Sequence, residues 1–127
     1  MSSFVDSLKF HADTLSLRSR RSIVLATNIA NAATPHFKAR DVNFTAEMQK
    51  IAKTSVMNTT HEKHIPVAGR QEGELAYRKS VNSSLDGNTV EMVVEQTEFS
   101  ENAVRYQTSL QFINGRIAGL MSAIRGE

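Results

Sequence analysis

The sequence has no cysteine and no tryptophan, and only two prolines and eight aromatic residues among its 127 residues. Without cysteine, neither a disulfide nor thiolate chemistry is available to the chain. No run of about 18 consecutive apolar residues occurs, and the first 21 residues hold no apolar stretch of signal-peptide length. We therefore expect neither a membrane-spanning helix nor export by a cleaved secretory signal.

The chain also has little net charge, because 15 basic and 13 acidic residues leave +2. This is too small to predict a nucleic-acid site, which needs several clustered phosphate contacts. The densest basic group, Arg18, Arg20 and Arg21, is interpreted as a helix surface facing solvent or a partner. Residues 1–31 sum to +2 and residues 88–127 to −2. This complementarity favours the two ends lying side by side.

The strongest pattern is an apolar seam near the C-terminus, where residues at alternating steps of four and three are apolar through about five heptads. A turn precedes it, in which Asn88 or Thr89 can cap the first amides, and Arg125 and Gly126 follow in the order typical of a helix end. The pattern predicts a helix from Thr89 to Arg125, roughly 55 Å long. With one break, at Gln96, the seam consists of Met92, Gln96, Phe99, Ala103, Tyr106, Leu110, Ile113, Ile117, Leu120 and Ile124.

A weaker seam of the same period near the N-terminus is richer in small residues and is the expected mate of the C-terminal helix. Thr34 and Pro35 are expected to end it, because the residue before proline is pushed out of the helical region. The predicted fold is therefore mainly α, with long N- and C-terminal helices paired as an antiparallel coiled coil. The N-terminal seam consists of Val5, Leu8, Ala12, Leu15, Ser19, Ser22, Ala26 and Ile29.

Between the two seams the periodicity weakens. Phe44, Met48 and Ile51 have helical spacing behind a possible Asn43 cap and predict one short helix. Residues 55–84 are rich in polar and turn-forming residues and are interpreted as an extended, partly disordered segment. The predicted organisation is an N-terminal helix over 1–33, a middle part over 34–87 and a C-terminal helix over 88–127.

Few residues suggest chemistry. His61 and His64 are three apart, but Pro66 and polar surroundings favour a loop over a metal site. Four glutamates at helical spacing, at positions 91, 95, 98 and 101, are interpreted as a face that is solvated or meets basic partner residues. No nucleotide-binding, hydrolase or zinc-protease motif occurs. We predict no catalytic, cofactor or metal site and no small-molecule substrate.

A more specific signal lies at residues 25–44. This segment keeps Asn28, Ile29, Asn31, Thr34 and Pro35 at a characteristic spacing. It resembles the signature N-I-A-N-x-x-T-P-G-Y of flagellar rod, hook and hook-associated proteins. His36 and Phe37 replace the usual glycine and tyrosine, and histidine tolerates a positive φ less readily than glycine. The residues at 38–41 and 44, with 88–92, 105–107 and 122–124 near the other end, look like the proximal-rod branch.

This resemblance implies a structural subunit that assembles with other rod proteins into the hollow axial shaft that transmits torque. It implies as partners the other rod subunits, the adaptor between rod and MS ring, and the flagellar type III export apparatus. It also implies a periplasmic basal-body location reached without signal cleavage. Phe44 and Met48 weakly match an export motif, although a role in the core of the short helix explains them equally well.

Two other functional classes stay open on the sequence alone. A soluble coiled-coil adaptor or export chaperone, closed as a small dimer, explains the seams but not the signature segment. A small hydrolase requires an apolar pocket with converging polar groups. If the chain is a rod subunit, we expect the isolated monomer to leave much of both end helices unfolded, because their seams lack neighbours.

Overall fold

The structure, a computed structural model, describes residues 2–53, 75–80, 82 and 84–126. The prediction of a mainly α fold with two long end helices packed together is confirmed. Between them lie a short helix and two short strands. The elements are α1 (Ser2–Ala30), β1 (Arg40–Val42), α2 (Phe44–Lys53), β2 (Leu75–Tyr77) and α3 (Met92–Arg125).

Helices α1 and α3 run antiparallel. The Asn102 side chain of α3 binds the carbonyl of Arg18 on α1, and Glu95, seven residues earlier on α3, binds Asn28, ten residues later on α1. Residue numbers therefore fall along α3 as they rise along α1. At 1.5 Å per residue, the 34 residues of α3 span about 51 Å, longer than a small domain is wide.

Helix α1 ends at Ala30, before the predicted stop at Thr34 and Pro35. The amide of Asn31 is shared between the carbonyls of Thr27 and Asn28, and Ala32 then donates to the carbonyl three residues back. The last turn thus tightens, as helix ends often do. The helix gives way to turns four residues before the proline, so Pro35 follows its end instead of causing it.

Helix α3 begins later than predicted, at Met92, and Asn88 does not cap it. The Asn88 Oδ1 accepts a hydrogen bond from the amide of Val90, and the Thr89 amide donates to the carbonyl of Phe37. The first bond is local and the second holds Thr89 against the chain that follows α1, so neither Asn88 Oδ1 nor the Thr89 amide is available to the helix. The predicted C-terminal end is confirmed, since Gly126 lies at φ +77° just after Arg125.

The middle part contains the predicted short helix and an antiparallel strand pair that the sequence does not predict. The Asn43 side chain caps α2 as expected, accepting from the amide of Ala46 at 3.1 Å. Strand β1 pairs with β2 in the register Arg40–Tyr77, Asp41–Ala76, Val42–Leu75. Strand β2 lies in the part of 55–84 that the structure describes, whereas His61 and His64 lie outside the described residues.

Among the residues that the structure describes, the buried apolar core is small. Leu17 and Leu25 of α1 are buried with Ala39 and Val42, where β1 crosses α1. Among the residues described by the structure, no helix is long and apolar enough to cross a membrane. So little apolar burial leaves the joint between the two ends of the chain to polar side chains.

Candidate functional site: a buried polar network beside an uncovered helix face

The joint between α1, β1 and α3 is built around Asn28, whose side chain is 1% exposed. Its Nδ2 donates to the carbonyl of Arg40 at 2.7 Å and to the Glu95 carboxylate at 3.1 Å. Its Oδ1 accepts from the Arg40 amide at 3.2 Å. The Asn28 amide therefore bonds to both backbone groups of a strand residue and to a carboxylate of the opposite helix. This agrees with the rule that buried polar groups have hydrogen-bond partners.

Glu95 is fully buried on α3, and an arginine compensates its charge. The Arg78 guanidinium, just after β2, donates through Nη1 to Glu95 at 2.8 Å and through Nη2 to Asp41 at 2.6 Å. Arg78 therefore joins a carboxylate of α3 to one of β1. Removing one partner of such a pair leaves an uncompensated charge in a low-dielectric site, at a cost of about 3–5 kcal/mol when burial is complete.

Arg21 holds the same carboxylate from α1. Its Nε and Nη2 bind the two Asp41 oxygens at 2.9 Å each, and Nη2 also donates to Glu98 of α3 at 2.8 Å. Burial alone would raise the pKa of Asp41, but the hydrogen bonds from Arg21 and Arg78 outweigh it and hold the pKa below its usual value. The hydrogen bond to Asp41 likewise raises the pKa of Arg21.

The turn that follows α1 is held by Asn88, which is buried. Its Nδ2 lies within hydrogen-bond distance of three carbonyls, those of Asn31 at 3.1 Å, Ala32 at 2.8 Å and Thr34 at 3.0 Å. All three carbonyls lie beyond Ala30, the last residue of the helix. A side chain from the start of the C-terminal segment therefore fixes the path of the chain as it leaves the N-terminal helix.

A second polar contact lies farther along the helix pair, at Asn102, which is also fully buried. Its Nδ2 donates to the carbonyl of Arg18 at 2.9 Å and to the Ser22 hydroxyl at 2.8 Å. The Arg18 guanidinium lies 4.5 Å above the Phe44 ring of α2. Burial, and then the neighbouring charges of Arg105 and Arg21, lower the pKa of Arg18.

Beyond Asn102, α3 presents an uncovered apolar face, defined here by the exposed side chains of Phe112, Ile117, Leu120, Met121 and Ile124. Phe112 is 62% exposed and Ile124 is 82% exposed. Ser19 and Ser22 of α1 line an open groove with Ala103, Tyr106, Gln107 and Leu110 of α3. Exposed apolar side chains repeated along one helix mark a surface that another element covers.

The carboxylates at the joint are bound by arginines of the same chain. Asp41 is bound by Arg21 and Arg78, Glu95 by Arg78 and Glu98 by Arg21. In the described part of the chain, no group of three histidine, aspartate or glutamate residues has the arrangement of a metal site. The network instead ties four segments of the chain to one another.

Comparison with known proteins places the chain among flagellar proteins. It is 53% identical, over the full length of both chains, to the flagellar basal body rod protein FlgB of Cereibacter sphaeroides strain ATCC 17029. It is 42% identical to FlgB of Aeromonas hydrophila, covering 98% of this chain and 97% of that protein. It is 41% identical to FlgB of Escherichia coli K12, covering 94% and 93%. The chain belongs to the FlgB family. No protein-family model matches it.

In this FlgB-family chain the signature residues meet the other end of the molecule. Asn28 lies in the polar network, while the backbone carbonyls of Asn31 and Thr34 accept from Asn88. The Phe37 carbonyl accepts from the amide of Thr89 at 3.0 Å, and Pro35 is exposed. The structure therefore places three of these residues against the residues that precede α3.

The predicted seam residues are not the most deeply buried ones of the FlgB-family chain. Leu8, Leu15, Ile29 and Ile113 are half-buried. Phe99, Tyr106, Leu110, Ile117 and Leu120 are each between one third and two fifths exposed. The side-chain hydrogen bonds between α1 and α3 are made by Glu95, Glu98 and Asn102. The packing role of the seam residues stays a prediction.

Phe44 and Met48, proposed above as an export motif, lie on α2 and face α1. The Phe44 ring supports the Arg18 guanidinium, and the Met48 sulfur lies 3.6 Å from the Thr14 hydroxyl. These contacts describe their place in the folded chain and leave the export role a prediction.

Sequence reasoning missed the charged members of the network. Glu95 was expected on a solvated or partner-facing surface, yet it is buried against Arg78 of the same chain. One available signal was the seven-residue spacing of Glu95 and Asn102, which marks one helix face. The other was the opposite net charge of the two ends, realised in the ion pair of Arg21 and Glu98.

Proposed function

We propose that the chain is a structural subunit of the proximal rod of the flagellar basal body and that the helix pair α1 and α3 is the part that packs against neighbouring subunits. One observation carries the proposal. The chain is similar to FlgB proteins over its full length, and it leaves an apolar face of α3 exposed. A monomeric soluble protein rarely exposes such a face without a partner.

The polar network would supply the stiffness that a torque-bearing shaft needs. Hydrogen bonds and bidentate arginine pairs are directional, so sliding α3 along α1 breaks several of them at once. Burial of the apolar face by neighbours would supply the binding energy, at about 25 cal/mol for each Å² of apolar surface removed from water. Load would then pass between subunits through apolar contacts and within each subunit through the network.

The finer assignments belong to the same proposal. Partners are the other rod subunits, the adaptor between rod and MS ring, and the type III export apparatus. The location is the periplasmic rod, reached without signal cleavage, with Phe44 and Met48 as the candidate export motif. The chain acts without a cofactor and not as an enzyme, which agrees with carboxylates that are each held by arginine.

The rival function is a soluble coiled-coil adaptor or export chaperone. The uncovered apolar face favours a partner in either case, but a chaperone closed as a dimer would bury that face against a second copy. Sedimentation of the purified chain over a range of concentrations separates the two. A rod subunit remains monomeric or forms open polymers, because its contacts do not close on themselves. An adaptor stops at one fixed size.

The decisive experiment is to locate an epitope-tagged copy in basal bodies isolated from a flagellated strain that lacks its own copy of this protein. We expect the tagged chain in the rod fraction and restored swimming. An Ile124→Asp variant, which charges a side chain that is 82% exposed on the uncovered face, should be made but not incorporated. Gln111→Asp, at an exposed position whose neighbours on the helix surface include Gln107 and Asn114, should retain most incorporation. Absence of the unmodified chain from purified basal bodies would contradict the proposal.

A further inference from the structure

Acidic and basic residues are separated along α3, and the uncovered apolar face lies in the basic part. Residues 103–126 contain three arginines, Arg105, Arg116 and Arg125, and no acidic residue. Residues 91–101 contain four glutamates and no basic residue. The half of α3 in which most side chains are exposed is therefore both apolar and basic.

The arginines flank the apolar face directly. Arg116 lies four residues after Phe112 and four before Leu120, and Arg125 lies four after Met121, so each shares a helical row with exposed apolar side chains. Arg105 is paired with Glu101 of its own helix. Within the described ranges, Arg116 and Arg125 have no acidic partner.

The same half of α3 in a second copy offers these arginines no carboxylate, because residues 103–126 contain none. The glutamates nearer the start of α3 are already bonded within their own chain. On α3 the partners are Arg78 for Glu95, Arg21 for Glu98 and Arg105 for Glu101. The remaining carboxylates with partners are Asp13, Asp41, Glu47, Asp86 and Glu91.

We propose that the uncovered apolar face of α3 is covered by an amphipathic helix of a different protein chain, whose apolar stripe is flanked by carboxylates, and not by the same face of a second copy of this chain. The inference rests on the proposed assembly function and names the chemistry of one neighbour. Apolar contact supplies the affinity, whereas the arginines choose the partner, because like charges across an interface suppress wrong pairs. Contacts between copies then use other faces.

A charge-reversed copy of the same chain supplies the required acidic partner with a matched apolar face. We would prepare Arg116→Glu/Arg125→Glu and measure sedimentation of the unmodified chain, of the variant and of their equimolar mixture at low salt. We expect the mixture to associate at a concentration at least ~10-fold lower than either protein alone, and the difference to shrink at about 1 M salt, where the Debye length is near 3 Å. The matched control, Lys9→Glu/Lys79→Glu, changes the net charge equally at exposed positions off α3 and should give no such gain.

A second variant provides a test that remains valid if the charge-reversed variant does not fold. Arg116→Gln/Arg125→Gln removes the repulsion and should associate with itself more tightly than the unmodified chain. The inference is overturned if the unmodified chain alone associates as tightly as the mixture, or if the mixture matches the control and the neutral variant gains nothing. If either of these results is obtained and the tagged chain is nevertheless found in basal bodies, the assembly function stands and only the proposed partner chemistry is wrong. A charge preference without incorporation would instead contradict the assembly function.

Discussion

At the residue scale, His36 holds the least favourable backbone conformation that the structure records. It is the only non-glycine residue with positive φ, at +60°, among the described residues. Its amide donates to the carbonyl of Asp86 at 3.0 Å, and its imidazole lies beside Gly87. The turn after α1 therefore keeps the conformation that glycine serves in the family signature, although histidine occupies it.

Replacing His36 by glycine should stabilise the chain. A left-handed conformation costs an L-residue about 1–2 kcal/mol, partly offset by the greater freedom of glycine in the unfolded chain, so we expect a gain of about 0.5–1 kcal/mol. Urea unfolding followed by circular dichroism measures it. The matched change, Gly87→Ala at φ +73°, should destabilise, because its Cβ would lie 3.0 Å from the His36 Nδ1. A loss of stability in His36→Gly would show that the imidazole contributes more than its backbone costs.

Asp41 should make stability depend on acid. Its pKa is lowered in the folded chain, so its contribution is fully present above the unfolded pKa of about 3.9 and is lost as pH falls through that value toward the folded pKa. The groups that face it are Arg21 and Arg78, with Glu95 and Glu98 bound to the same arginines. We therefore expect the free energy of unfolding to fall between about pH 5 and pH 3.

The Asp41→Asn variant tests this assignment, because the amide cannot titrate. It should be less stable than the unmodified chain at pH 7 by about 2 kcal/mol, a value below that of a fully buried pair because Asp41 is partly exposed. The two stabilities should converge toward pH 3. Equal acid dependence in both proteins would assign the titration to other carboxylates.

At the scale of elements, sequence periodicity predicts the helices but not the short strands. Helices α1, α2 and α3 follow from apolar spacing and from Asn43 and Gly126 at their ends. Strands β1 and β2 have three residues each, too few for an alternating pattern to be recognised. Helix α3 starts late because Asn88 and Thr89 bond to residues some fifty positions away, which no local pattern contains.

The polar joint is harder to predict because burial of charge depends on a partner distant in sequence. Glu95 looks the same as Glu91 or Glu101 in the sequence, and only Arg78 and Asn28 make its burial possible. Asn28, Asn31 and Asn88 are all recognisable in the sequence as polar residues near helix ends, but nothing local shows that Asn88 bonds to the Asn31 carbonyl or Asn28 to Glu95. Local patterns thus identify where a helix ends, whereas the partners of the residues at that end come from the tertiary fold.

Asn88 offers a test of how the two end helices are joined. Asn88→Ala removes the side-chain donor of three carbonyls, but those of Asn31 and Thr34 also accept from backbone amides. We therefore expect a cost of about 1 kcal/mol, at the low end of the range of about 1–3 kcal/mol for an unsatisfied buried group. Asn88→Asp keeps the shape but turns a carboxylate oxygen toward those carbonyls and should cost more. The free energy of unfolding should therefore fall in the order Asn, Ala, Asp. An aspartate variant as stable as the original would mean that the amide does not hold the turn that follows α1.

At the scale of the whole molecule, the two ends of the helix pair differ in how completely the chain covers them. Near Asn28 and Glu95, helices α1 and α3 are joined by β1 and the polar network. Beyond Asn102, nearly every residue of α3 is exposed. Because a long helix gains most of its stability from tertiary packing, the covered and uncovered parts of α3 should differ in stability although they form one continuous helix.

Hydrogen exchange on the isolated chain measures this difference. We expect amides at 95–102 to exchange at least about 100-fold more slowly than those from Ile113 to Ile124, because opening the uncovered end breaks few buried contacts. Sedimentation on the same sample must establish that it is a monomer, since any partner would bury the uncovered face and protect it. Strong protection from Ile113 to Ile124 in a verified monomer would show that α3 is stable without neighbours. That result would contradict the expectation that this end of α3 becomes ordered only on assembly. The apolar face would then be a rigid docking surface that is already formed in the monomer.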